Sequence, residues 1–160
     1  MAIVKVDFKE IEQLCKDLEK ELKSCKGVQV GWLKGEKALN HEREQTDTEQ
    51  GEVVVKLDFG SPEDKIPPRP FVRNAINGNK SKEYERALKL IFEKELPLSD
   101  TLIQFGNIVK NNIQKNIDSN MPPPNTPATI ERKGSSHTLI DTGHMRNSIQ
   151  VQIMTGNDNE

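Results

Sequence analysis

The sequence predicts an α+β fold: a small antiparallel or mixed β-sheet with amphipathic helices packed on one side. Three observations predict it. Apolar residues recur at three- and four-residue intervals near 8–25, 82–96 and 99–118, the spacing of one helical face. Short alternating runs, Val28-Gln29-Val30 and Ile149-Gln150-Val151-Gln152-Ile153, have the period of strands. Between them lies Phe59 to Phe71, reading F-G-S-P-E-D-K-I-P-P-R-P-F, which fits neither period. A chain of 160 residues is the size of one domain. That domain is expected over 1–154, with 155–160 an unanchored C-terminal tail.

The first helix begins near Asp7. Phe8, Ile11, Cys15, Leu18, Leu22 and Cys25 form its stripe, and Glu12–Lys16 and Glu19–Lys23 support the opposite face at i,i+4. Gly27 is expected to stop it. A stripe this short favours packing on a sheet over a coiled-coil seam. A strand over Val28 to Leu33 follows. Lys34 to Gly51 is polar and without period, so it is either a mobile surface loop or the two arms of a hairpin. Val53, Val55, Leu57 and Phe59 alternate, which favours a strand.

The proline stretch then reads as a stiff arm. Gly60 can take the positive φ that ends an element sharply. Pro67, Pro68 and Pro70 hold the chain extended, and Pro70 keeps Arg69 out of helical geometry. Pro70 suits the first position of a helix launched at Phe71. Further on, Ser81 and Ser99 are expected N-caps, and Leu98, Leu102, Phe105, Val109, Ile113 and Ile117 mark one buried helical face. Met121-Pro-Pro-Pro124 is a rigid connector. Thr126 and Pro127 begin a short helix that Gly134 ends, and Asp141 or Thr142 caps another turn.

Composition narrows the function. The formal charge is −2, against the basic balance usual for a DNA coater. Aromatics make up 4%, too few for a stacking platform on single strands. No long apolar run predicts a membrane span. Cys15 and Cys25 lie too far apart on one straight helix to bridge, and His41, His137 and His144 have no metal-ligand spacing. No cofactor is expected, and no phosphate-binding loop is present, since Gly31-x-x-x-Gly35 lacks the Lys-Ser/Thr that would follow. From Lys65 to Lys82 there are five cations and no acid. Such a segment is a solvated face, a contact with an acidic neighbouring subunit, or a phosphate-contacting surface. The subunit contact is favoured over DNA.

Three segments in order resemble one family. Val30-Gly31-Trp32-Leu33, the arm ending P-P-R-P-F, and Pro127 to Gly134 followed by Leu139 to Ile149 look like the small tail-completion proteins of tailed bacteriophages and prophages. These are also described as tail-terminator, neck, virion-morphogenesis or minor tail proteins. The resemblance covers roughly residues 28 to 153. It implies a helix ending in Asp58-Phe59-Gly60, against the strand-like alternation there. It implies a non-enzymatic protein made in the host bacterial cytoplasm and built into the virion at the head-proximal end of the tail. There a ring, commonly sixfold, caps the tail tube and prepares joining to the head–tail connector. A head–tail connector or another minor tail component is the alternative slot. Pro68, Arg69, Pro70, Phe71 and Arg73 are the expected assembly contact, and Gly60, Asp141, Thr142 and Gly143 the expected structural motif.

Leu139-Ile-Asp-Thr-Gly143 also resembles the signature of retroviral-type aspartic proteases. That chemistry needs two carboxylates in contact, one from each copy of a dimer. His144 and Met145 replace the small residue that usually follows, and the surroundings read as helical. Helix capping by Asp141 or Thr142 is the better account.

Overall fold

The computed structural model describes residues 8–40, 42–77, 81–93 and 96–155. Helix α1 runs over Phe8–Ser24, α2 over Gln50–Phe59, α3 over Phe71–Ile76, α4 over Ser81–Phe92, α5 over Leu98–Asp118, α6 over Pro127–Lys133 and α7 over His144–Asn147. Strands β1 (Gly27–Gly31) and β4 (Gln150–Met154) pair antiparallel, with Gln29 opposite Gln152. Strands β2 (Lys37–Leu39) and β3 (Gln45–Glu49) form a separate hairpin. The fold is α+β, with two small antiparallel sheets where one was expected.

Helix α5 is the organising element. It lies on the β1–β4 sheet, and α1, α3 and α4 meet it elsewhere. Gly106 makes the approach possible: a Cβ there would stand 2.5 Å from Val151 Cγ1 and 2.9 Å from Val28 Cγ2. Of the three helices expected on the sheet, α5 makes the main contact, and α1 touches α5 near Leu98, whose N–H donates to Glu21 Oε2 at 3.3 Å. The core gathers Val54, Phe71, Ala75, Ile113, Ile117, Leu139, Met145 and Ile149.

Local corrections have local causes. α1 stops at Ser24, and Gly27 opens β1 instead of ending the helix. The polar run Lys34–Gly51 is a hairpin, tied by the Thr46 hydroxyl donating to Ala38 O at 3.0 Å. Residues 50–59 are helical despite their alternation, because the buried set is Gln50, Val54 and Asp58, a row four apart, while Val55 and Phe59 face outward. Pro97 takes the cap position expected of Ser99, and Pro70 caps α3 instead of entering it. Thr126 and Gly134 act as expected. The Thr126 side chain accepts from Thr129 N, and Gly134 sits in the left-handed region at φ 65°. Ser81 is the first residue of α4, and the segment that would show its cap, like the tail from Gly156 on, lies outside the described residues.

Candidate functional site

The proline arm is a closed clamp. Gly60 turns the chain at φ 84°, and an added Cβ would press on Pro68 N at 3.0 Å and Ile66 O at 3.1 Å. Ser61 and Ile66 exchange backbone hydrogen bonds of 2.9 and 2.8 Å, and Arg69 N–H returns to Leu57 O at 2.9 Å. The loop between is pinned by Lys56 Nζ to Asp64 Oδ2 at 2.8 Å. The Lys56 ammonium holds the Asp64 carboxyl below the usual carboxylate range.

Asp58 locks the far end. Its carboxylate is 2% exposed, and it accepts from Val72 N at 2.9 Å and Arg73 Nε at 2.7 Å. It thus serves as a remote cap for α3, whose N-terminal residue Pro70 offers no side-chain acceptor. The Arg73 guanidinium lies 4.3 Å from the centroid of the exposed Phe59 ring. Phe71 is fully buried, edge-on to Trp32 with ring centroids 6.3 Å apart. The Trp32 indole N–H donates to Met145 O at 2.7 Å.

This corrects part of the expected contact surface. Phe71 belongs to the core because its ring is the largest fully buried side chain. Arg69 is 4% exposed and donates through Nε and Nη2 to Pro123 O at 3.0 and 2.8 Å. Phe71 has no outer surface to offer, and Arg69 is engaged within the chain at the edge of a cleft. Pro68 and Lys65 stay exposed, Pro70 is half-buried, and Arg73 keeps one face outward. The run of cations from Lys65 is therefore not one basic face: Arg69 and Arg73 are both engaged within the chain, Lys82 is exposed, and Lys80 lies outside the described residues.

Between the hairpin, α2, the arm, α6 and residues 138–145 opens a cleft of about 810 Å³. It joins pieces far apart in sequence: Pro67 and Arg69 from the arm, Arg132 and Lys133 from α6, and Leu139 with Asp141 to Met145. Asn125 and the His137 carbonyl knit the cations together. Arg69 Nη2 reaches Asn125 Oδ1 at 3.4 Å, Asn125 Nδ2 donates to His137 O at 3.0 Å, and Lys133 Nζ donates to the same oxygen at 2.8 Å. Burial pushes the Lys133 ammonium pKa down; nearby Asp141 opposes the shift, while Arg69 and Arg132 add to it. Burial likewise lowers Arg69.

Asp141 does not cap α7. It is exposed, and the position before the helix is Gly143 at φ 79°. The local tether is Thr142, whose hydroxyl oxygen accepts from His144 N at 3.2 Å. His144 Nε2 faces Lys37 O at 3.0 Å and Glu36 Oε1 at 3.2 Å, while Ser148 Oγ points to Met145 O at 3.5 Å. His144 and Ser148 turn to different partners and Asp141 is exposed, so no nucleophile–base pair forms among the three. Asp58, Asn125 and Lys133 were not singled out from the sequence as site residues. Their partners lie 14, 12 and 4 residues away, and only the last spacing carries a local signal.

Among the described residues, no group of three His, Cys, Asp or Glu side chains could hold a metal ion, and no helix is long and apolar enough to cross a membrane. Cys15 and Cys25 are both free thiols. No protein-family model, curated protein or solved structure matches the chain.

Proposed function

We propose that this chain is a non-enzymatic structural protein of a tailed bacteriophage or prophage virion. It is made in the host cytoplasm and completes the tail at its head-proximal end, as a ring of copies that prepares head–tail joining. The observation carrying this reading is that the segments bearing the family resemblance converge in space. Trp32 packs on Phe71 and bonds Met145, and the arm, α6 and the Leu139–Met145 segment share one cleft.

The subunit contact shifts from Arg69 and Phe71 to the outer faces of α2 and α3. Val55, Phe59 and Ile76 are 56%, 61% and 54% exposed, and Arg73 is stacked on Phe59. An aromatic ring with an arginine already held in place is a suitable anchor for a second copy, because ordering it on contact loses little freedom. The test is the mass of the purified protein alone and on isolated tail tubes, for the natural chain and for Phe59→Ser. The natural chain is expected to gain ring mass on tubes, and the variant to stay folded but fail to assemble. Absence of the labelled protein from both virions and assembly intermediates would end this reading.

A further inference from the structure

Among the described residues, several cations are matched by carboxylates. Arg73 is matched by Asp58, Lys56 by Asp64, Arg146 by Asp118 and His144 by Glu36. Arg69 and Lys133 are held instead by neutral acceptors: Pro123 O, Asn125 Oδ1 and His137 O. Asp141 acts on Lys133 through space, but no ion pair joins them. Two partly desolvated cations, linked through Asn125 and one carbonyl, line a concave surface without an anion of their own. Buried charge is ordinarily compensated by an opposite charge in contact, and among the described residues no carboxylate makes that contact with Arg69 or Lys133. Thr138, 6% exposed, lines the same cleft, and its hydroxyl has no hydrogen-bond partner.

We propose that the cleft receives an extended peptide segment of a partner protein, with a carboxylate of that segment seated between Arg69 and Lys133. The size fits, since ligand clefts run from about 300 to 1,000 Å³. The walls fit as well. Leu57, Ile66, Leu139 and Met145 supply apolar surface beside the cations, as an acidic residue with apolar neighbours requires. A nucleic-acid strand fits worse, because Asp64 and Asp141 interrupt the cations along the cleft, and a row of phosphates needs an unbroken row while a single carboxylate needs one seat. Lys133 keeps two ammonium protons beyond the one given to His137 O, and Arg69 Nη1 donates to nothing described. The inference stands on these side chains and does not require the virion reading.

The experiment uses the full chain and two blocked pentapeptides, one with Asp between two leucines and its Asn twin. The Asp peptide should bind about tenfold tighter or better, the worth of a charge-assisted hydrogen bond. Lys133→Met should erase that difference while melting no lower than the natural chain, since it removes a desolvated cation and keeps the aliphatic stem. In the natural chain, the arriving carboxylate should move the Lys133 titration to higher pH, which decides the matter even if the variant misfolds. Equal binding of the twins, no binding of either, or discrimination that survives Lys133→Met would overturn the proposal. So would displacement of the peptide by an equimolar 12-nucleotide (about that length) single strand, or inorganic phosphate alone reproducing the Lys133 shift at the same concentration.

Discussion

The segment from Asp58 to Arg73 and the helix α1 treat their side chains in opposite ways. In the arm, Asp58, Arg69 and Phe71 are buried, and the backbone folds back on α2 through Arg69 N–H and Leu57 O. Along α1, every described side chain from Glu12 to Ser24 is exposed, including Cys15 and Leu22. Its side-chain polar contacts are solvent-exposed, such as Lys23 to Glu19 at 4.0 Å and Gln13 to Asp17 at 3.0 Å. Yet α1 has the plainest helical period and the arm has none. Periodicity identifies an element; what covers that element depends on the remainder of the chain or on another molecule. Prolines, a turning glycine and a remote carboxylate make a segment rigid without any period.

This contrast breaks if the arm tolerates change as α1 should. The largest effect is expected at Phe71. Phe71→Ala empties the middle of the core and should lower unfolding free energy by about 3–5 kcal/mol in urea titration. A loss below about 1.5 kcal/mol would mean the ring is not packed as described. Next comes Asp58. Asp58→Ala removes both the cap of α3 and the counter-charge of Arg73, and should lose about 3 kcal/mol. Asp58→Asn keeps an oxygen for Val72 N–H and should lose clearly less. Equal losses in the two variants would show that the cap contributes nothing and the charge everything.

The same residues show how much of the molecule was legible beforehand. Helices α1, α4 and α5 could be read because their stripes are local, and α6 because its caps are: Thr126, Pro127 and Gly134 sit together in one short window. The hairpin could not be singled out, since Lys37–Glu49 is polar apart from Ala38 and Leu39 and is held by contacts such as Lys37 Nζ to Asp47 O at 2.8 Å. α2 was ambiguous because its valines alternate in sequence while burial follows a four-residue row. The cleft was invisible for a different reason. Arg69 meets Pro123 across 54 positions, and Trp32 meets Met145 across 113. No window of sequence contains both partners.

A surface ion pair sets the scale against which the arm should be judged. Arg146 donates to Asp118 through Nε at 2.6 Å and Nη2 at 2.8 Å, with both side chains about a third or more exposed. The hydrogen bonds from Arg146 hold the Asp118 carboxyl below the usual carboxylate range. A depressed carboxylate pKa stabilises the fold above the unfolded value near about 3.9 and ceases to do so as pH falls through the folded value. Asp118→Asn should therefore flatten part of the acid-side fall in melting temperature. Solvent screening keeps the contribution below about 1 kcal/mol at neutral pH. A drop as large as that of Asp58→Ala would remove the distinction between a buried and an exposed carboxylate here.

The smallest effect is expected on α1, and it is the most diagnostic. Leu22 is 57% exposed, and glutamine has nearly the helix propensity of leucine. Leu22→Gln should therefore change stability by no more than about 0.5 kcal/mol. The midpoint of urea unfolding, followed at several protein concentrations, checks this. A loss above about 1.5 kcal/mol would mean that Leu22 is covered in solution. If that loss grew with protein concentration, the cover would be a second copy of the chain, because association stabilises only by mass action. If it were constant with concentration, the cover would come from the chain itself, and α1 would have to pack more closely than its contact with Leu98 implies.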